Sequence, residues 1–88
     1  MRLDKFLKVS RLIKRRTLAK EVSDQGRISV NGVTAKAGTT IKAGDELVIR
    51  FGQKHVTVRI ERLQENSRKE EAAEMYTILK EERITEQE

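Results

Sequence analysis

Gly26-Arg27-Ile28-Ser29-Val30-Asn31-Gly32-Val33-Thr34-Ala35 is the stretch on which the fold turns. Ile28 and Val30 alternate with Arg27 and Ser29, the period of two that places successive side chains on opposite faces of a strand. Asn31-Gly32 follows, and both residue types tolerate the positive φ that a type I′ turn needs. A tight hairpin returning through Val33 and Ala35 is therefore predicted. Gly26, at the head of the stretch, suits the left-handed stop of a preceding helix.

Upstream, the spacing is helical. Leu3, Phe6 and Leu7 stand at i, i+3 and i+4 and share one face of a short helix over residues 2–9, while Arg2, Lys5 and Lys8 lie opposite. Ser10 to Lys14 form the link, with Leu12 and Ile13 tucked inward. A second helix is predicted from about Arg16 to Gln25, with Leu18, Ala19 and Val22 as its apolar stripe.

Downstream, a loop over Lys36 to Lys42 reaches the turn signal Ala43-Gly44-Asp45. Leu47, Ile49 and Phe51 then mark one strand. Val56, Val58 and Ile60 mark another, after a turn at Gly52-Gln53-Lys54. The predicted fold class is α+β: two short basic N-terminal helices packed on a small twisted, mainly antiparallel sheet of about four strands, plus a C-terminal helix. Residues 1–62 form the basic domain and residues 63–88 an acidic C-terminal helix with a frayed tail. Ser67-Arg68-Lys69-Glu70 fits a capping box for that helix, which would set Ala72, Tyr76, Leu79 and Arg83 on one side. Tyr76 would dock the helix, and Thr85 to Glu88 are expected to be disordered.

Charge separates the two parts. The 88 residues hold 19 Lys+Arg and 14 Asp+Glu, a formal net charge of +5. Residues 1–60 carry 14 basic against 5 acidic groups, a net +9; residues 61–88 carry 5 against 9, a net −4. The length accommodates one small domain. The chain has no Cys, and its single His, His55, falls at an outward strand position with no nucleophile and acid grouped around it. Asp45-Glu46 reads as a turn and strand start rather than a metal site. The glycines are spaced one per turn and not clustered to cradle phosphate. No catalytic residue, cofactor or metal is expected. With no signal-peptide pattern at the N-terminus and no apolar run long enough to cross a bilayer, an intracellular protein that does not engage membranes is expected.

The informative feature is cationic. Arg2, Lys5, Lys8 and Arg11 recur every third residue, and Lys14-Arg15-Arg16 with Lys20 follow. Packing of the two helices through their apolar faces leaves these groups outside, where Arg and Lys suit a ridge of phosphates. The first helix is short and its apolar residues are committed to the core, which argues against a membrane surface. A helix-turn-helix is disfavoured because the chain runs into the Asn-Gly hairpin with no third helix. Three aromatic residues are too few for a stacking platform on single strands. Folded RNA, recognised by shape and phosphate placement, remains.

The run RLDKFLKVSRLIKRRTLAKEVSDQGRISVNG resembles the S4-type RNA-binding domain, named after ribosomal small-subunit protein four. The residues that carry the resemblance are Arg2-Leu3-Asp4, Ser10-Arg11, Arg16 with Ala19, Gly26-Arg27-Ile28-Ser29-Val30-Asn31-Gly32, and Gly44-Asp45, together spanning about residues 1–51. Arg15 stands where the family usually has a small or polar residue opening the second helix, so the cap is weaker. With Glu71-Ala72-Ala73-Glu74-Met75-Tyr76 in the tail, the chain is similar to the free-standing subfamily of heat-shock protein fifteen, and in particular to its quality-control branch.

That resemblance implies a non-catalytic factor that binds large ribosomal subunits carrying a peptidyl-tRNA after stalled translation. The implied partners are large-subunit rRNA, peptidyl-site tRNA and an RqcH-like factor that appends C-terminal alanine tails; the implied state is a cytoplasmic, ribosome-associated monomer. Arg2, Lys5, Arg11 and Arg16 would grip an rRNA stem, with Lys8, Arg15 and Lys20 on the same stem or the tRNA and Lys14 a further RNA-binding residue. Asp4 would orient a neighbouring Arg, and Asn31 and Gly32 would act first as the turn. A ribosome-assembly or RNA-remodelling factor, and a protein adaptor anchored by its basic half, are the alternatives.

Overall fold

Leu3, Phe6 and Leu7 are fully buried in the computed structural model, which describes residues 1–83, and they form the inward face of helix α1 (Leu3–Val9). The helix closes at Ser10, whose N–H donates to the Phe6 carbonyl at 2.8 Å. Arg11 then takes a left-handed conformation, φ +65°, and turns the chain toward helix α2 (Arg16–Asp24). Arg15 caps α2 without any side-chain hydrogen bond, the weak cap that its identity predicts. Gly26, at φ +78°, stops the chain after α2 as expected.

One part of the helical reading is corrected. Leu18 is not in the apolar stripe; it is 47% exposed. Ala19 and Ser23 are buried instead, one turn apart, with Val22 packed beside them. These small residues allow α2 to lie close against its neighbours, and Leu18, about 100° from Ala19 around the axis, is carried outward. The Ser23 hydroxyl donates to the Ala19 carbonyl at 2.8 Å, so its burial leaves no polar atom unpaired.

The sheet contains β1 (Ile28–Val30), β2 (Val33–Thr34), β3 (Glu46–Phe51), β4 (Lys54–Ile60) and β5 (Tyr76–Arg83), in the order β2-β1-β3-β4-β5, with every pairing antiparallel. Asn31 (φ +52°) and Gly32 (φ +86°) make the predicted type I′ turn between β1 and β2. The Asn31 amide also reaches across to β3: its Nδ2 donates to Asp45 at 3.0 Å, and its Oδ1 accepts from the Glu46 N–H at 3.0 Å. Asp45, buried, accepts from the Lys42 N–H as well. Leu47 opposite Val58 and Ile49 opposite Val56 supply the sheet's half of the core, against Leu3, Phe6, Leu7 and Ile13. Phe51 packs against the core only partly buried.

The C-terminal segment departs most from expectation. The fold class is α+β, but the third helix, α3, is a single turn at Lys69–Ala72, and the sheet has five strands. Glu71, not Glu70, accepts from the cap N–H, that of Arg68, at 3.0 Å; the Ser67 hydroxyl bonds elsewhere. Tyr76, Leu79 and Arg83 do not share a helix face, because Tyr76–Arg83 runs along β4 with Ile60 opposite Tyr76 and Val58 opposite Ile78. Two physical reasons favour the strand. The outer edge of β4 would otherwise leave a row of backbone donors and acceptors unpaired, and Tyr-Thr-Ile is rich in the aromatic and β-branched residues that suit a pleated surface. Met75, fully buried, anchors the turn into β5, and its carbonyl accepts from the Glu61 N–H at 2.8 Å. Thr85 to Glu88, predicted to be disordered, lie outside the described residues.

Candidate nucleic-acid interface

Asp4 lies in the first turn of α1 with its side chain almost wholly buried, and a buried carboxylate requires charged partners. Two are supplied. Arg2 Nε lies 3.2 Å from Oδ1, and Arg16 Nε, at the start of α2, lies 3.6 Å from Oδ2. Both guanidinium side chains remain about half exposed. Each is engaged through Nε, which leaves the terminal nitrogens for an acceptor outside the protein; phosphate matches that fork.

The backbone beneath this pair is fixed by the loop after β2. The Leu3 N–H donates to Thr39 O at 2.9 Å and the Asp4 N–H to Ala37 O at 3.1 Å, while Arg2 forms an isolated bridge with Thr40. Asp24, at the end of α2, accepts from the Ala37 N–H at 3.1 Å. The loop thus joins the start of α1 to the end of α2.

The other cations divide into groups. Lys5 is paired with Glu65 from the segment after β4; that bond, with the Lys5 charge, holds the Glu65 carboxyl below its ordinary range. The same segment is tied to α1 by the Ser67 hydroxyl, which donates to Val9 O at 2.7 Å. Lys8, Arg11 and Lys14 are exposed and line one cleft. Arg15 and Lys20 are exposed on α2 beside Arg16 and one turn beyond it. Asn31 and Gly32 form the exposed β1–β2 turn, and the Asn31 side chain is occupied in fastening that turn to β3.

Two residues escaped the sequence reading. Glu65 covers Lys5, and Lys69 joins the cleft of Lys8, Arg11 and Lys14. The signal for Lys69 was the basic pair Arg68-Lys69 inside an otherwise acidic stretch. Among the described residues no group of three His, Cys, Asp or Glu could hold a metal, and no helix is long and apolar enough to cross a membrane.

A basic helix pair leading through a tight hairpin into an antiparallel sheet is the arrangement of an S4 domain, and that family's profile matches residues 1–47. The chain is 76% identical over 86 residues to the RQC P-site tRNA stabilizing factor of Listeria innocua serovar 6a, covering 98% of this chain and 94% of that protein. It is 71% identical over 86 residues to the protein of the same name in Bacillus subtilis strain 168, covering 98% of this chain and all of the other. Its fold is similar to that of heat shock protein 15 from Vibrio cholerae, solved as a trimer, with a TM-score of 0.82 and 32% identity over 89% of this chain and 80% of that one. The chain belongs to the S4 domain family, in the group whose members are named RQC P-site tRNA stabilizing factor.

Proposed function

We propose that this chain is a non-catalytic factor of ribosome-associated quality control. It binds P-site tRNA and the neighbouring large-subunit rRNA on large ribosomal subunits obstructed by a stalled nascent chain, and so acts in the cytoplasm on the ribosome. By holding the tRNA in place it supports C-terminal alanine tailing by an RqcH-like partner. The observation that carries this reading is the guanidinium pair of Arg2 and Arg16, braced on one buried carboxylate from two different helices. The pair is set before RNA arrives, so little side-chain freedom is lost on binding. The names borne by relatives of such high identity support the tRNA and the quality-control setting.

Cosedimentation with large subunits carrying peptidyl-tRNA tests the reading. About six phosphate contacts give a log–log salt slope of roughly −4 to −5. Arg16→Ala weakens binding by about 1–3 kcal/mol, the range for a charge-assisted contact. A slope near zero, or unchanged cosedimentation of a folded Arg16→Ala protein, overturns it. Preference for immature particles over tRNA-bearing subunits would instead favour an assembly factor.

A further inference from the structure

Lys8 in the last turn of α1, Arg11 and Lys14 in the link to α2, and Lys69 at the start of α3 line a single cleft of about 370 Å³. Four cations from three parts of the chain converge there. None of them has a carboxylate within ion-pair distance among the described residues, whereas Arg2, Lys5 and Arg16 on the same helix pair all do. Gathering like charges without a counter-charge is unfavourable in the free protein, and a bound polyanion relieves it.

The cleft is also built rather than accidental. Arg11 is held at φ +65°, a conformation uncommon for a side chain of its size, and its N–H donates to Lys8 O at 3.0 Å. Such backbone cost persists where the surroundings enforce it, often at ligand sites. Lys69 is brought in by the strap that precedes it: Ser67 bonds to Val9 and Glu65 pairs with Lys5, so the start of α3 is fixed to α1.

We infer that this cleft is a second phosphate site, which takes an RNA phosphodiester through Lys8, Arg11, Lys14 and Lys69, separate from the Arg2–Asp4–Arg16 contact. Lys69 lies beyond residues 1–47, so the tail completes a site that the S4 segment only begins. The two contacts share no residue. Arg2 and Lys8 flank α1, about 9 Å apart along its axis at 1.5 Å per residue, so the helix bridges two points on the RNA. The inference rests on the RNA-binding reading above, and adds where a second phosphate is held and by which part of the chain.

The test uses the full chain carrying Lys69→Gln, Lys69→Arg or Arg16→Ala, with two probes: purified deacylated tRNA and vacant large subunits. Affinity is measured across a salt series, with a thermal melt to check the fold. Lys69→Gln is expected to weaken binding about three- to tenfold at moderate salt and to lower the salt slope by about one, as for a lost phosphate contact. Lys69→Arg is expected to retain both. A loss confined to tRNA places the tRNA backbone in the cleft, and a loss confined to subunits places rRNA there; either supports the site. If Lys69→Gln leaves affinity and slope unchanged while Arg16→Ala weakens binding, the second site is overturned and the RNA-binding reading stands. If neither variant changes binding, both fall.

Discussion

Asp4 and Arg16 lie twelve positions apart on different helices, yet Asp4 Oδ2 sits 3.6 Å from Arg16 Nε while the other carboxylate oxygen holds Arg2. One buried anion therefore sets the direction of two cations that reach solvent. The pairing depends on the fold: α1 and α2 must be packed correctly for the two guanidinium groups to stand together.

Asp4→Asn separates orientation from net charge. The substitution keeps the shape and raises the formal charge by one, so a purely electrostatic surface would bind RNA more tightly. Binding is expected to weaken severalfold instead, because the guanidinium pair loses its brace. The cost in stability is about 1 kcal/mol, below the usual range for a charged hydrogen bond because both Arg partners are half exposed and the Arg16 contact is an ion pair at 3.6 Å. Urea unfolding and RNA titration measure the two effects.

The strap over α1 should respond to acid. The Lys5 hydrogen bond and charge lower the folded-state pKa of Glu65 below the ordinary value of a glutamate. A carboxylate with a depressed folded pKa contributes stability above its unfolded pKa, and loses it as pH falls through the folded value. The Lys5–Glu65 pair should therefore be formed at neutral pH and released only in acid, below the ordinary glutamate range. An NMR titration of the Glu65 side-chain carbon checks this, and in Lys5→Met the midpoint should rise back toward the ordinary value.

Met75 tests whether the tail is part of the fold. Its side chain is fully buried at the entry to β5. Met75→Ala should cost about 2–5 kcal/mol, the range for emptying such a site. The measurement is the urea midpoint of the full chain. A change of only a few tenths of a kcal/mol would mean that the tail is not docked in solution.

Local signals were legible in the sequence, and distant pairings were not. The α1 apolar face, the Asn31-Gly32 turn, the alternation in β3 and β4, and the Gly26 stop each depend on neighbours within a few residues. Periodicity admits both Leu18 and Ala19 to the stripe, and only the close approach of α2 selects the smaller residue. Over Tyr76–Arg83 a few apolar positions at near-helical spacing compete with β-branched content, and the open edge of β4 that captures the segment as a strand is a tertiary fact. At the site, the repulsion between a bare carboxylate and phosphate indicated that Asp4 turns to a neighbouring Arg, but not that one partner would come from α2. Nor could spacing show that Glu65 covers Lys5, 60 residues away.

The strand order carries a consequence for biogenesis. β5 follows β4 in the chain, so during synthesis the basic helix pair and the first four strands emerge before the segment that seals the β4 edge. Until Tyr76–Arg83 is available, that edge is a ready template for a foreign strand. Closure itself is quick in prospect, since Tyr76 pairs with Ile60 only sixteen positions back, a short loop to close. Once made, β5 closes that edge and protects the completed chain from mispairing.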